Sequence, residues 1–244
     1  MKLDLNTELA SLDLSGALKR VTEEFPEGVV FSSSFGQEDM VLTDVIFREN
    51  LPAGIFTLDT GRLFQETYDL MDLTKARYGR EFKVYFPDYH DVEEYVTHNG
   101  ANAFYESVEL RKRCCYIRKV IPLQRALKGQ QVWITGIRAA QSENRHDLPM
   151  WEWDETYQLY KFNPLLHWSY EDVLGYLKEH HVPYNKLHDR GFISIGCAPC
   201  TRAIEPGEDP RAGRWWWETS KKECGLHTHE AVPGTTDTTD QGHD

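Results

Sequence analysis

Five cysteines dominate the chemistry this sequence can do. Two are adjacent, Cys114 and Cys115, in KRCCYIRKV. Two form a Cys-x-x-Cys, Cys197 and Cys200, in IGCAPCTR. The fifth, Cys224, stands alone in KKECGLHTH. Four thiols are enough for one metal centre, which leaves the fifth to react. Cys-x-x-Cys serves redox dithiols, zinc sites and iron–sulfur sites alike. A redox dithiol leaves Cys114 and Cys115 without a role. A tetrahedral zinc needs four sulfurs converging within about 2.3 Å of the metal, whereas adjacent side chains diverge. A cubane cluster is larger and accepts neighbours on different irons, so ligand geometry favours it over zinc. Simple burial of two thiols in a helix face is the bland alternative; it weakens when two pairs occur together.

Basic residues gather around these thiols. Arg111, Lys112, Arg113, Arg118 and Lys119 surround the first pair, Arg202, Arg211 and Arg214 follow the second, and Lys221 and Lys222 precede Cys224. Arg138 and Arg145 lie in a further loop. The chain as a whole is acidic, with net charge −12 from 27 basic and 39 acidic residues. Solvated helix faces are the usual fate of charge runs. Positive charge clustered beside cysteines and strand ends instead suits a small anionic substrate and offsets thiolate charge. The turn SSSFGQED adds Ser32, Ser33, Ser34 and Gly36, whose small side chains leave backbone N–H groups open to an anion at a helix start. A plain serine-capped turn has the same composition, and the Gly-Lys-Ser/Thr ending of a Walker loop is absent. Asp59, in LDTGRLF, ends a strand where an acid either holds a ribose or base or caps the next helix.

Alternating elements must position these residues. Apolar strands are expected over 28–35, 54–60, 82–87 and 131–136, and helices over 38–50, 62–79, 114–129 and 169–181. Gly79 reads as a helix C-cap, and Pro122 as a kink inside the helix over 114–129. Such alternation predicts an α/β fold with a doubly wound, mostly parallel sheet, whose ligands bind beyond the carboxyl ends of the strands. Residues 1–27 form an amphipathic helical lead-in, 28–190 the α/β domain, and 191–228 an irregular C-terminal segment holding the Cys-x-x-Cys and Cys224. The polar, acidic stretch 229–244 is expected to be disordered.

Composition excludes several classes. Hydrophobic residues at 40% and charged residues at 27% are ordinary for a globular protein. An acidic chain does not suit nucleic-acid phosphates, and its apolar runs are too short to span a membrane. The N-terminus carries acids where a signal peptide needs an apolar stretch. A cytoplasmic location is therefore expected, where paired cysteines serve metals or redox rather than structural disulfides.

SSSFGQED, LDTGRLFQET, CCYIRKVIPL, WITGIRAAQS, IGCAPCTR, RAGRWWWE and KKECGLH occur in one order over about residues 28–227. In them the chain resembles the iron–sulfur type of assimilatory adenylylsulfate (APS) reductase. The resemblance implies an adenine-nucleotide α-hydrolase-like fold and reduction of APS to sulfite and AMP. Cys114, Cys115, Cys197 and Cys200 would ligate a 4Fe–4S cluster, and Cys224 would be the nucleophile that forms an S-sulfonate. Thioredoxin would then release sulfite. Lys119 would lie between cluster and substrate. Ser32, Ser33, Ser34 and Gly36, with Arg138, Arg145, Arg211 and Arg214, would hold the phosphosulfate; Asp59 and His227 are further substrate-binding candidates. His227, Lys221 and Lys222 would also lower the Cys224 pKa. A 3′-phosphoadenylylsulfate (PAPS) reductase, or an enzyme taking both substrates, is the nearest alternative. A sulfurtransferase or ATP-using synthetase, and a zinc-stabilised binding protein, are more distant ones. A homo-oligomer is compatible with the sequence. Trp215–Trp217 reads equally as a docking patch or a packed lid.

Overall fold

The computed structural model describes residues 2–141 and 148–218. Two short helices lead in, α1 (Asn6–Ala10) and α2 (Leu14–Glu24). Both lie in the segment read as a helical lead-in. Asp13 divides it by taking an extended conformation and accepting from Gly16 N, which starts α2 afresh. Then follow β1 (Val29–Ser32), α3 (Gln37–Arg48), β2 (Gly54–Leu58), α4 (Gln65–Tyr78), β3 (Lys83–Tyr85), α5 (Tyr89–Asn99) and α6 (Val108–Cys115). After α7 (Ile121–Leu127) come β4 (Val132–Ile134), β5 (Trp151–Asp154), β6 (Leu159–Phe162) and α8 (Tyr170–Glu179).

The six strands form one sheet in the order β3-β2-β1-β4-β6-β5. Every neighbouring pair is parallel except β5 and β6. In the middle, Phe31 is in register with Ile55 on one side and Ile134 on the other. Helix α3 carries Met40, Val41, Leu42, Val45 and Ile46, all essentially inaccessible to solvent. Apolar side chains on most of its faces make it a core helix rather than a surface one. Gly79 ends α4 with φ of 59°, a left-handed conformation that favours glycine.

The expected helix over 114–129 is three pieces. Helix α6 ends on the cysteine pair, a π turn spans Tyr116–Val120, and α7 begins at Ile121. The helical backbone runs on through all three, and Pro122 lies at the start of α7, directly after the wider π turn that follows the cysteines. π turns are frequent at functional sites.

Candidate active site: a cleft joined to a four-cysteine cavity

The carboxyl ends of β1, β2 and β4 open into a cleft of about 550 Å³, a size that suits a small cofactor or nucleotide. Its lining residues are of three chemical kinds. Phe56, Leu58, Leu123 and Trp133 make an apolar sector, and Lys119, Arg211 and Arg214 a cationic one beside Cys197. A third sector holds Ser33, Ser34, Glu38, Asp39, Glu171 and His188.

The serine turn is built around a carboxylate. Asp39 Oδ2 accepts from both Ser34 N and Ser34 Oγ at 2.6 Å, and Phe35 takes φ of 59° to complete the turn. Burial pushes the Asp39 carboxyl up to about 6; the Ser34 bonds oppose this and nearby Glu38 adds to it. Gly136 is required opposite, because a Cβ there would stand 2.1 Å from Asp39 Oδ1. Ser33 Oγ accepts from Phe35 N, and Ser32 Oγ from Trp133 Nε1 at 2.8 Å. The loop thus lines the cleft as expected, together with Gly36. The Ser34 N–H, however, already has an internal anion.

Two expected substrate groups are otherwise engaged. Asp59 does not line the cleft. Its Oδ1 accepts from Gly61 N at 2.7 Å and from the Tyr68 hydroxyl at 3.0 Å, so it holds the turn after β2. Nor does it cap α4, whose N-cap is Phe64. Arg138 lines the cleft, but its Nε donates to Glu38 Oε1 at 2.8 Å and its guanidinium lies over Tyr170. Gln141 Nε2 donates to the same Glu38 oxygen. Arg138 therefore belongs to an ion pair at the acidic sector, not to the cationic one. Arg145, Cys224 and His227 lie outside the described residues.

A smaller cavity adjoins the cleft and shares Lys119 and Cys197 with it. Cys114, Cys115, Cys197 and Cys200 all line it, with Arg62, Arg111 and Arg118. The four thiols are unbridged. Burial pushes Cys200 up to about 12, aided by Cys197; Lys119 and Arg214 pull it back. Burial also raises Cys114, against Arg118. Such thiols ionise at neutral pH only if further positive charge reaches them, which a bound metal supplies. The Thr60 hydroxyl lies 3.3 Å from Cys197 Sγ. Arg118 donates to Thr60 O at 2.6 Å, tying the π turn to the strand end. Trp215 packs in the same apolar cluster as the cysteines, and its buried Nε1 has no partner among the described residues. Four soft donors, an orphaned N–H donor and flanking cations fit a sulfur-rich metal group. No three His, Cys, Asp or Glu side chains among the described residues are grouped to hold a single metal ion.

Sequence reasoning missed Glu38, Asp39, Thr60 and His188. The acids were legible in GQED, but only the small residues before them were weighed. His188 had no motif to flag it. Its ring lines the cleft, both nitrogens are buried without a partner among the described residues, and burial lowers its pKa.

A doubly wound sheet with a nucleotide-sized cleft at its strand ends defines an adenine-nucleotide α-hydrolase-like fold. Residues 28–203 match the phosphoadenosine phosphosulfate reductase domain. The adenosine 5′-phosphosulfate reductase of Allochromatium vinosum is 51% identical over 93% of this chain and 87% of its own length. That of Burkholderia cepacia is 51% identical over 94% of this chain and 92% of its own. The phosphate complex of phosphoadenylyl-sulfate reductase from Candida auris superposes with a TM-score of 0.71 and 29% identity, covering 84% of this chain and 99% of that one. Yeast FAD synthetase shares the fold alone, at a TM-score of 0.54 and 16% identity, over 83% of this chain and 70% of that one. The chain belongs to the phosphoadenosine phosphosulfate reductase family and is an enzyme, a reductase.

Proposed function

We propose that this enzyme reduces adenosine 5′-phosphosulfate to sulfite and AMP in sulfate assimilation, in the cytoplasm. The observation that carries the reading is the three-part cleft wall. Its apolar sector suits adenine, its serine and carboxylate sector suits ribose hydroxyls, and Lys119, Arg211 and Arg214 suit the phosphosulfate. The anionic end of the substrate then lies beside the cysteine cavity.

Cys224 is the nucleophile in this reading. Its thiolate attacks the sulfate sulfur, the bond from that sulfur to the bridging oxygen breaks, and AMP leaves with the electron pair. The cationic sector offsets the charge of two anions brought together. A thioredoxin thiolate then attacks Cys224 Sγ and expels sulfite, and the partner's second thiol closes a disulfide, supplying both electrons. Cys114, Cys115, Cys197 and Cys200 would hold a 4Fe–4S cluster. Bound there, it would supply fixed charge beside the substrate and stiffen the elements that carry its ligands. Arg118 and Lys119, held by the π turn next to two of those ligands, keep positive charge between the cavity and the cleft.

The test is to mix the anaerobically purified enzyme with sulfur-labelled APS and no thioredoxin, then map label by peptide mass. Label on the Cys224 peptide, released as sulfite by thioredoxin, is expected. An intact, iron-loaded protein that takes up no label refutes the reaction.

A further inference from the structure

Phe104 takes no part in the core of the sheet. It lies in a single 3₁₀ turn (Ala103–Tyr105) between α5 and α6, in the segment NGANAFYES. Neighbours in that turn bury against different things. Ala103 joins Tyr95 and Ile117, whereas Phe104, only 1% exposed, packs with Cys197, Cys200 and Trp215 and lines the cysteine cavity. A buried ring in a loop usually fills a small satellite cluster of apolar side chains; this one covers thiols.

The ring is the inner layer of a thin wall. Tyr105 lies against it with ring centroids 4.5 Å apart and is 42% exposed, so solvent begins just beyond. The Arg62 guanidinium lies over the Phe104 ring at 5.1 Å, and Trp217 packs on it at 6.3 Å. Bonds that do not involve the ring tie the turn down. The Tyr105 hydroxyl donates to Pro199 O at 2.6 Å, between the two cysteines of the Cys-x-x-Cys. Arg62 donates to Ala101 O and, at 3.4 Å, to Asn102 Oδ1. Its own carbonyl accepts from Ala198 N at 2.8 Å. Trimming the ring therefore opens a gap and leaves the turn seated. The wall at Arg111 is thicker, since that side chain is buried and backed by Trp215 and Glu218.

We propose that Phe104 is a shielding residue, which bars small molecules from the outer side of the cysteine cavity so that a metal group held there is approached from the cleft. The inference rests on the four cysteines holding a 4Fe–4S cluster. An apolar shell around a metal site controls what reaches it from solvent, and thiolates are lost to oxidants in proportion to their exposure. The cavity and the cleft share Lys119 and Cys197, so a nucleotide in the cleft covers that approach. Ring and nucleotide then guard one group from two sides.

The experiment compares Phe104→Ala with wild type as anaerobically purified holoenzyme, with AMP saturating throughout so that the cleft is filled. Iron release is followed with two probes, free bipyridyl and bipyridyl tethered to a dextran too large to enter the protein. Expected are unchanged iron per chain at the start, AMP affinity within about twofold of wild type, and release to free bipyridyl about tenfold faster. Release to the tethered probe is expected to stay unchanged. Release to free bipyridyl at the wild-type rate overturns the proposal. So does equal acceleration with both probes, which marks a general loosening. A parallel loss of iron and AMP affinity overturns it too, being the mark of a packing role alone. Phe104→Leu keeps an apolar side chain but shortens it, and is expected to speed release to free bipyridyl a few-fold. An unchanged rate there overturns the proposal even if Phe104→Ala does not fold. Wild type that binds AMP and contains no iron refutes the cluster, and the shield with it.

Discussion

Asp39 is a buried carboxyl with no cation paired to it among the described residues, so Asp39→Asn should stabilise the protein in a pH-dependent way. Folding raises its carboxyl from 3.8 to about 6, chiefly by burial. A rise of that size corresponds to about 3 kcal/mol. The folded state holds this proton more tightly than the unfolded state does. The favourable contribution is therefore complete below the unfolded value of 3.8 and is lost as pH rises through about 6. Above that, the ionised group costs the native state about 3 kcal/mol relative to a neutral one. Asparagine is neutral throughout. Its amide oxygen can take the place of Oδ2 and keep both Ser34 bonds. The amide NH₂ would then face Gly136 in the tight contact that Oδ1 now makes, which takes back about 1 kcal/mol. The net expectation is a variant about 2 kcal/mol more stable at pH 8, with the advantage gone at about pH 4.5 and reversed by about 1 kcal/mol in stronger acid. Urea unfolding of both proteins across that range measures it. A difference that is flat with pH, or that grows toward acid, refutes the burial argument.

Other substitutions test the cleft and the cavity. Gly136→Ala puts a Cβ onto Asp39 and should unseat the Ser34 turn, weakening AMP binding more than tenfold and costing about 1–3 kcal/mol of stability. Calorimetry and thermal melts would check both. Lys119→Gln removes a cation shared by cleft and cavity. It should raise KM for APS about tenfold and flatten its dependence on salt, whereas an unchanged salt slope would move the phosphosulfate away from Lys119. Cys200→Ala should abolish bound iron and visible absorbance while leaving AMP affinity within about threefold, because the cleft's apolar sector does not touch it. Metal analysis and titration would detect the opposite result.

Much of the fold was legible because its signals are local. The apolar strands that enter the sheet centre, the buried periodicity of α3 and the glycine that ends α4 each declare themselves within a few residues. Helix α5 did not, since Tyr95 is its one buried side chain and only Val92 and Val96 join it on the apolar side, between acids and histidines. The β5–β6 hairpin hid for a different reason. Its tryptophans alternate with acids, and it earns its place only by stacking Trp151 on Tyr160 and pairing β6 with β4. The π turn was invisible, because one added residue per turn leaves no mark in composition. Trp215–Trp217 shows the limit most clearly. Three identical letters have three environments: Trp215 is buried between the cysteines and two arginines, Trp216 is 40% exposed, and Trp217 packs on Phe104 and Tyr105.

Charge was legible in kind but not in assignment. The basic residues near the cysteines look like one positive field when counted along the chain. In space they divide into groups with different work. Arg111 is neutralised by Glu218 and Arg138 by Glu38, so neither adds to the field at a bound anion. Arg118 braces the π turn through Thr60 O and also bonds to Cys114, inside the cysteine cavity. Lys119, Arg211 and Arg214 line the cleft itself. Arg214 is held there by a close backbone approach, since a Cβ on Gly196 would stand 2.3 Å from its Nη2. A charge tally along the chain cannot contain this division: it counts Arg111, Arg138, Glu38 and Glu218 as four separate charges, whereas in space they are two ion pairs.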